Sequence, residues 1–236
     1  AELAQIFNQT AAQLAARREN QSTLLAGVSH DLRSPLARMK MALGMLAEER
    51  TSPLLTRMER DVAEMETLIG AQLELARSQE REPAQATDID ALLSELIESA
   101  EAQSPGQTHL RTDGPSCHAT IAPLALRRIL GNFVDNALRY GGPGRLELVR
   151  RRCADGILIG VRDRGPGIPA DLREAVFQPF FRLDPSRNRA SGGSGLGLAI
   201  ARQLAETQGW TIAIKPRVGG GVSAWLAIQH LNPDRT

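Results

Sequence analysis

Two groups of residues in this 236-residue chain have the types and spacing for chemistry. In "GVSHDLRSPLARMK", residues 27–40, His30 is followed directly by Asp31 and, five residues on, by Pro35. An aspartate can accept a proton from the imidazole and leave the other ring nitrogen free as a nucleophile. Pro35 lacks an N–H and frees the carbonyl one turn back, that of Asp31, so a helix carrying this segment should bend beside the histidine. A tolerated kink with a solvated histidine would look the same from this segment alone.

The second group is rich in glycine. "GNFVDNALRYG", residues 131–141, sets Asn132 and Asn136 four apart on one helical face, with Arg139 and Tyr140 just beyond. An amide oxygen suits Mg²⁺ and an arginine suits phosphate, although two asparagines could equally solvate a helix. "VRDRGPGIP", residues 161–169, follows an apolar run with Asp163, Gly165 and Gly167. Glycines let the backbone approach a flat ligand, and a carboxylate accepts a bond from an exocyclic amine such as that of adenine. An ordinary turn would share that pattern. In "ASGGSGLGLAIARQLAE", residues 190–206, Gly192, Gly193, Gly195 and Gly197 run straight into a helical pattern. Backbone N–H groups at such a helix start bind phosphate. The spacing fits neither a dinucleotide fingerprint nor a P-loop. Of 28 basic residues only Lys40 and Lys215 are lysine, and neither lies where a serine/threonine/tyrosine kinase needs one. The arginine-rich "FQPFFRLDPSRNRASGG" before the glycines reads as a lid over phosphates or as a surface loop.

The elements that must position these residues differ between the two halves. With Leu25 at heptad position a, Leu32, Met39 and Leu46 also fall at a, Val28, Pro35 and Ala42 at d, and Leu36 and Leu43 at e. Three apolar positions per heptad suit a bundle, and His30 falls at f, away from the seam. "TSP" at 51–53 offers a cap and a helix-starting proline, after which Leu55, Met58, Val62, Met65 and Ile69 recur at spacings of three and four. Two such helices make an antiparallel hairpin whose stripe is too broad for its own partner, so the pattern predicts dimerisation into a four-helix bundle. After the polar "SQEREPAQATD", strand-like "GRLELVR" and "GILIGVRD" alternate with helix-like "LALRRILGNFVDNALRY" and "ADLREAVF". The expected organisation sets a helical hairpin, 21–82, after residues 1–20 and before a mixed module, 83–236, in the α+β class, with the polar stretch near residue 83 letting the modules move against each other. The formal charge of +1 gives no reason to invoke nucleic acid. Cys117 and Cys153 sit in no metal-ligand or redox spacing, and no apolar run approaches the length that spans a bilayer.

Together these segments resemble the sensor histidine kinases of bacterial two-component systems, with the nearest likeness to the EnvZ-like osmosensor group. "SHDLRSPL" is similar to that family's H box, "NFVDNALRYG" to its N box, "DRGPGIP" to its G1 box, "FQPFFR" to its F box and "GGSGLGLAI" to its G2 box, in the family's order. The resemblance implies a Bergerat (GHKL) ATP-binding domain, an α/β sandwich shared with gyrase and MutL, behind the dimeric helical hairpin. It implies that His30 is the phosphoacceptor and Asp31 its base, with ATP and Mg²⁺ as cofactors. Asn136 would bind Mg²⁺, Asn132 and Arg139 the phosphates, and Tyr140 would wall the nucleotide. Asp163 would read adenine beside Gly165, Gly167 and Ile168. Arg182, Gly193, Ser194, Gly195, Leu196, Gly197 and Leu198 would surround the phosphates at the lid.

Ser34 stands where the family commonly has threonine, a position tied to removing phosphate from the response regulator. Serine keeps the hydroxyl but fixes its direction less. The partners implied are a second copy of the chain and a response regulator, OmpR-like in type. "ELAQIFNQTAAQL" resembles the closing helix of a HAMP linker, which implies a cytoplasmic portion of an inner-membrane receptor. The rival readings are an ATPase of the same fold and an ATP-binding protein that transfers no phosphate.

Overall fold

A computed structural model describes residues 36–37, 39–44, 53–78, 81–106, 108–142, 144–153, 156–183 and 195–229. The chain divides into two compact units, one ending at Arg77 and one beginning at Ser78. Among the described residues no helix is long and apolar enough to cross a membrane.

In the first unit, α1 spans Pro53–Arg77 and begins on the proline, whose missing N–H has no intrahelical role in a first turn. Thr51 and Ser52, the expected cap, lie outside the described residues. Residues 36–37 and 39–44 are helical too. Leu36, Leu43 and Val62 form a buried cluster, with Leu55 and Ile69 packed against it. The closed seam of the hairpin is therefore the heptad e row against every seventh residue of α1. Met39, Met58 and Met65 stay exposed. Lys40 and Glu66 add an ion pair across the seam at 2.9 Å.

In the second unit, the short strand β1 (Gln85–Asp88) pairs antiparallel with β3 (His118–Ile121). Asp88 then caps helix α2 (Ile89–Gln103) by accepting from Ala91 N–H at 3.1 Å. A five-stranded sheet has the order β2 (Thr108–Asp113), β4 (Leu146–Cys153), β5 (Gly156–Arg162), β7 (Val222–Gln229), β6 (Thr211–Pro216). Only β2 and β4 are parallel, so the sheet is mixed and the fold is α+β. Alternation puts Leu148, Val161, Ala224 and their strand neighbours Ile159, Leu226 and Ile228 on one buried face. Helices α3 (Pro123–Tyr140) and α4 (Gly197–Gln208) pack together and add Leu126, Ile129, Phe133, Ile200 and Leu204 to the core, and α2 adds Ile89 and Leu93. The opposite face carries Glu147, Arg151, Arg162 and Trp225, with Arg151 stacked over the indole at 5.7 Å.

Three features add to or depart from the sequence expectation. Within the second unit, the Glu82 carboxylate accepts from Leu124 N–H at 3.0 Å and Ala125 N–H at 2.7 Å, capping α3 where Ala122 offers no side-chain bond. "ADLREAVF" forms two 3-10 turns, Ala170–Leu172 and Ala175–Phe177, because the segment between Pro169 and Pro179 is too short to nucleate an α-helix. Arg150 lies on the core face of β4 with 1% of its side chain exposed. Its Nε meets Asp90 at 2.7 Å, and its remaining donors reach the carbonyls of Asp113, Gly114 and Pro115.

Candidate functional site

Asp163 is the first residue past β5, where the ladder stops holding the backbone. Its N–H donates to Val222 O at 3.0 Å, and its Oδ1 accepts from Gly165 N–H at 2.9 Å and Val222 N–H at 3.1 Å. Both bonds fall on one carboxylate oxygen. Among the described residues Oδ2 takes no hydrogen bond, so the carboxylate has a fixed direction and a spare acceptor.

The glycines around Asp163 are there for contact. A Cβ on Gly165 would stand 2.3 Å from Tyr140 O, and one on Gly141 would stand 2.7 Å from Asp163 Cβ. The end of α3 and the loop after β5 are thus interlocked, which places Tyr140 and Asp163 on neighbouring backbone. Gly167 turns the loop with φ +85, a value that side chains other than glycine rarely adopt, and Ile168 follows half-buried.

Further back along α3, Asn132 donates from Nδ2 to Arg128 O at 3.0 Å, which leaves its Oδ1 towards α4. A Cβ on Gly197 would come within 2.8 Å of that oxygen, so the first turn of α4 rests on Asn132. Leu196 precedes the helix, and its side chain supplies no cap. The N–H groups opening α4 are donors suited to an anion. Gly195, at φ +70, accepts from Phe180 N–H at 3.0 Å, and Phe180 has a positive φ of 64 with 56% of its surface exposed. Asn136 and Arg139 lie on α3 between the two clusters, and Arg182 follows the Phe180–Phe181 pair. Loss of hydration raises the Asp135 carboxyl above its usual range, and the Arg139 charge partly opposes this.

The structure therefore brings Asn132 to Gly197 and the Tyr140–Gly141 backbone to Asp163 and Gly165, while Gly195 and Leu196 adjoin Gly197, and Gly167 adjoins Gly165, along the chain. Leu198 sits in the first turn of α4. His30, Asp31, Ser34, Gly193 and Ser194 lie outside the described residues. No group of three or more His, Cys, Asp or Glu that could hold a metal occurs among the described residues. Asn136 would offer a single amide oxygen, a donor set that fits Mg²⁺ only when phosphates and waters complete the shell. Sequence reasoning missed Val222 and Arg217, which fix Asp163 from the neighbouring hairpin. Both lie beyond every motif, and the Gly219–Gly221 run between them signals a tight turn but not its contact with Asp163.

Comparison with known proteins gives two family matches. The family described as "Histidine kinase-, DNA gyrase B-, and HSP90-like ATPase" matches residues 121–232, and the "His Kinase A (phospho-acceptor) domain" matches residues 20–81. The chain is 32% identical over 231 residues to the sensor histidine kinase GtrS of Pseudomonas aeruginosa, covering 98% of this chain and 46% of that protein. It is 35% identical over 230 residues to the sensor histidine kinase CpxA of Escherichia coli, covering 94% and 50%. The chain thus spans about half the length of the curated relatives it matches. The crystal structure of full-length ShkA in complex with AMPPNP superposes with a TM-score of 0.69 at 25% identity, over 89% of this chain and 47% of that one. The Acinetobacter baumannii histidine kinase AdeS shares the fold with a TM-score of 0.59 at 20% identity, over 86% and 98%.

Proposed function

Because the chain belongs to the sensor histidine kinases, joining a phospho-acceptor domain to their ATPase domain, we propose that it phosphorylates its own His30 from MgATP and passes the phosphoryl group to an aspartate of a response regulator. The observation that carries this is the arrangement on α3. A carboxylate with one oxygen bound to backbone N–H groups lies at its C-terminal end, and the glycine start of α4 rests on Asn132 eight residues earlier. Asp163 would accept from the adenine amine, and the opening N–H groups of α4 would face the phosphates.

Asn136 would ligate Mg²⁺, which offsets the charge on the phosphates when bound. Tyr140 would wall the base, and Arg139, Arg182, Gly193 and Ser194 would complete the phosphate end. In the transfer, an imidazole nitrogen of His30 bonds to the γ-phosphorus as the bond to the bridging oxygen of ADP breaks, and Asp31 takes the proton of the other ring nitrogen. Ser34 would serve the reverse task of dephosphorylating the regulator, with a looser hydroxyl than threonine provides.

The exposed Met39, Met58 and Met65 support a dimer in which two hairpins form a four-helix bundle. The domain limits we assign are 1–20 for a HAMP-like helix, 21–82 for the hairpin and 83–236 for the ATP-binding domain, in a cytoplasmic part of an inner-membrane receptor. The resemblance of the boxes to the EnvZ-like group favours an OmpR-like regulator. Incubation with ATP labelled at the γ-phosphate tests the central step. The expected product is label on the protein that withstands base, is released by acid and disappears in His30→Gln. Release of free phosphate at an unchanged rate in His30→Gln, with no label on the wild-type chain, would replace this reading with an ATPase.

A further inference from the structure

On the outer face of the sheet, Glu147 on β4 and Arg162 on β5 stand opposite each other in the ladder, with Arg162 Nη1 3.2 Å from Glu147 Oε2. That pair is complete as a cross-strand ion pair. A second arginine nevertheless joins it. Arg217, just past β6, binds Glu147 Oε1 through Nη2 and keeps only 2% of its side chain exposed. Crowding two guanidiniums on one carboxylate is a poor way to gain stability, and the Nε atoms of both arginines lack a partner among the described residues. Burial and the Arg217 charge also draw the Arg162 guanidinium below its usual range. Something other than ion pairing must account for the placement of Arg217.

The other arm of Arg217 shows what that is. Its Nη1 donates to the backbone carbonyl of Asp163 at 3.1 Å. The backbone of Arg217 also closes the turn after β6: its N–H donates to Gly221 O at 3.2 Å, and its carbonyl accepts from Gly220 N–H at 3.1 Å. That turn runs through three successive left-handed glycines, Gly219, Gly220 and Gly221. Gly221 packs so closely that a Cβ would stand 2.2 Å from Asp163 O. Val222, which starts β7, then supplies the N–H that holds Asp163 Oδ1 and the carbonyl that receives Asp163 N–H. Past the end of β5, Asp163 is thus held through Val222 on one side and through its own carbonyl on the other, and Arg217 governs both.

We propose that Arg217 is a positioning residue for recognition of the nucleotide base: it fixes the peptide of Asp163 and the turn that delivers Val222, and thereby sets the direction of the free carboxylate oxygen. This rests on the reading of Asp163 as the adenine acceptor. The geometry, and not the charge alone, does the positioning. A lysine at 217 can face Glu147 as a point charge but cannot hold Glu147 and the Asp163 carbonyl together as the planar fork does.

The test uses the full chain and two probes, ATP and inorganic triphosphate, titrated by calorimetry into wild type, Arg217→Met and Arg217→Lys, with thermal unfolding of each. The expected result is a loss of about tenfold in ATP affinity in both variants, as one misaligned charge-assisted hydrogen bond implies. Triphosphate affinity should stay unchanged, because the start of α4 is untouched. Arg217→Lys should recover the unfolding temperature without recovering ATP affinity. Where Arg217→Met fails to fold, Arg217→Lys decides. Wild-type affinity for ATP in the lysine variant, or a parallel fall in ATP and triphosphate affinity, would overturn the inference while leaving the kinase reading intact. Failure of the wild-type chain to bind ATP would instead overturn the reading beneath it.

Discussion

Asp163→Asn separates the two tasks of the Asp163 carboxylate. Oδ1 is occupied structurally by the N–H groups of Gly165 and Val222 at 2.9 and 3.1 Å, and Oδ2 is the acceptor proposed for the adenine amine. Asparagine keeps an oxygen for the first task and presents an NH₂ group for the second, which sets donor against donor at the base amine. A hydrogen bond to a charged group contributes about 1.5–3 kcal/mol. At about 1.4 kcal/mol per decade the variant should bind ATP roughly 10- to 100-fold more weakly. Its stability should change little, since both backbone bonds survive. Calorimetric titration with ATP, beside thermal unfolding, measures the two quantities separately. ATP affinity within twofold of wild type would refute the role of Oδ2, and a loss of affinity matched by collapse of the unfolding transition would show that the carboxylate serves only the fold.

Removing Arg150 should expose the buried network of β4. Arg150→Met leaves Asp90 without its cation and three carbonyls without their donor, so chemical denaturation should show a loss of about 3 kcal/mol. That is the low end of the range for breaking such a pair, because Asp90 retains 23% of its exposure. The double variant with Asp90→Leu should lose less than the sum of the singles. Asp135→Asn should raise the unfolding temperature at pH 7 only slightly, because Asp135 is exposed on α3 and solvent screens most of the effect. Desolvation raises the folded-state value of Asp135, so the folded chain binds its proton more readily than the unfolded chain, and ionisation costs stability as pH rises through that raised value. The gain should close as pH falls below about 4, where the carboxyl is protonated in both states.

What the sequence disclosed was whatever is written in adjacent residues. The runs around Asp163 and Gly197 announce close backbone approach because only glycine tolerates it, and the e-row leucines Leu36 and Leu43 announce a seam through their period. The strands β4 and β5 were visible as apolar runs, yet the burial of Arg150 was not. Its carboxylate partner is 60 residues away, and nothing near it in sequence distinguishes it from the exposed Arg151. Glu82 was hidden in the same way: a charge in a polar stretch reads as solvated until the N-terminus of α3 is known to lie beside it. The short 3-10 turns show the converse error, in which a helical period is present over too few residues to form a helix.

Helix α3 joins these separate observations into one device. Asn132 and Tyr140 are eight residues apart on it, about 12 Å at the α-helical rise, and each anchors one end of the site. The Gly197 start of α4 rests on the first, and the Asp163 loop interlocks with the second. An α-helix does not stretch, so the spacing between the ends proposed for base and phosphate is set by the chain itself before any ligand arrives. Glu82 fixes the N-terminal end of the helix, and the Arg217 turn fixes the loop at its C-terminal end. Under the proposed function, residues far from the chemistry in sequence would determine whether the two halves of a nucleotide meet their partners at once.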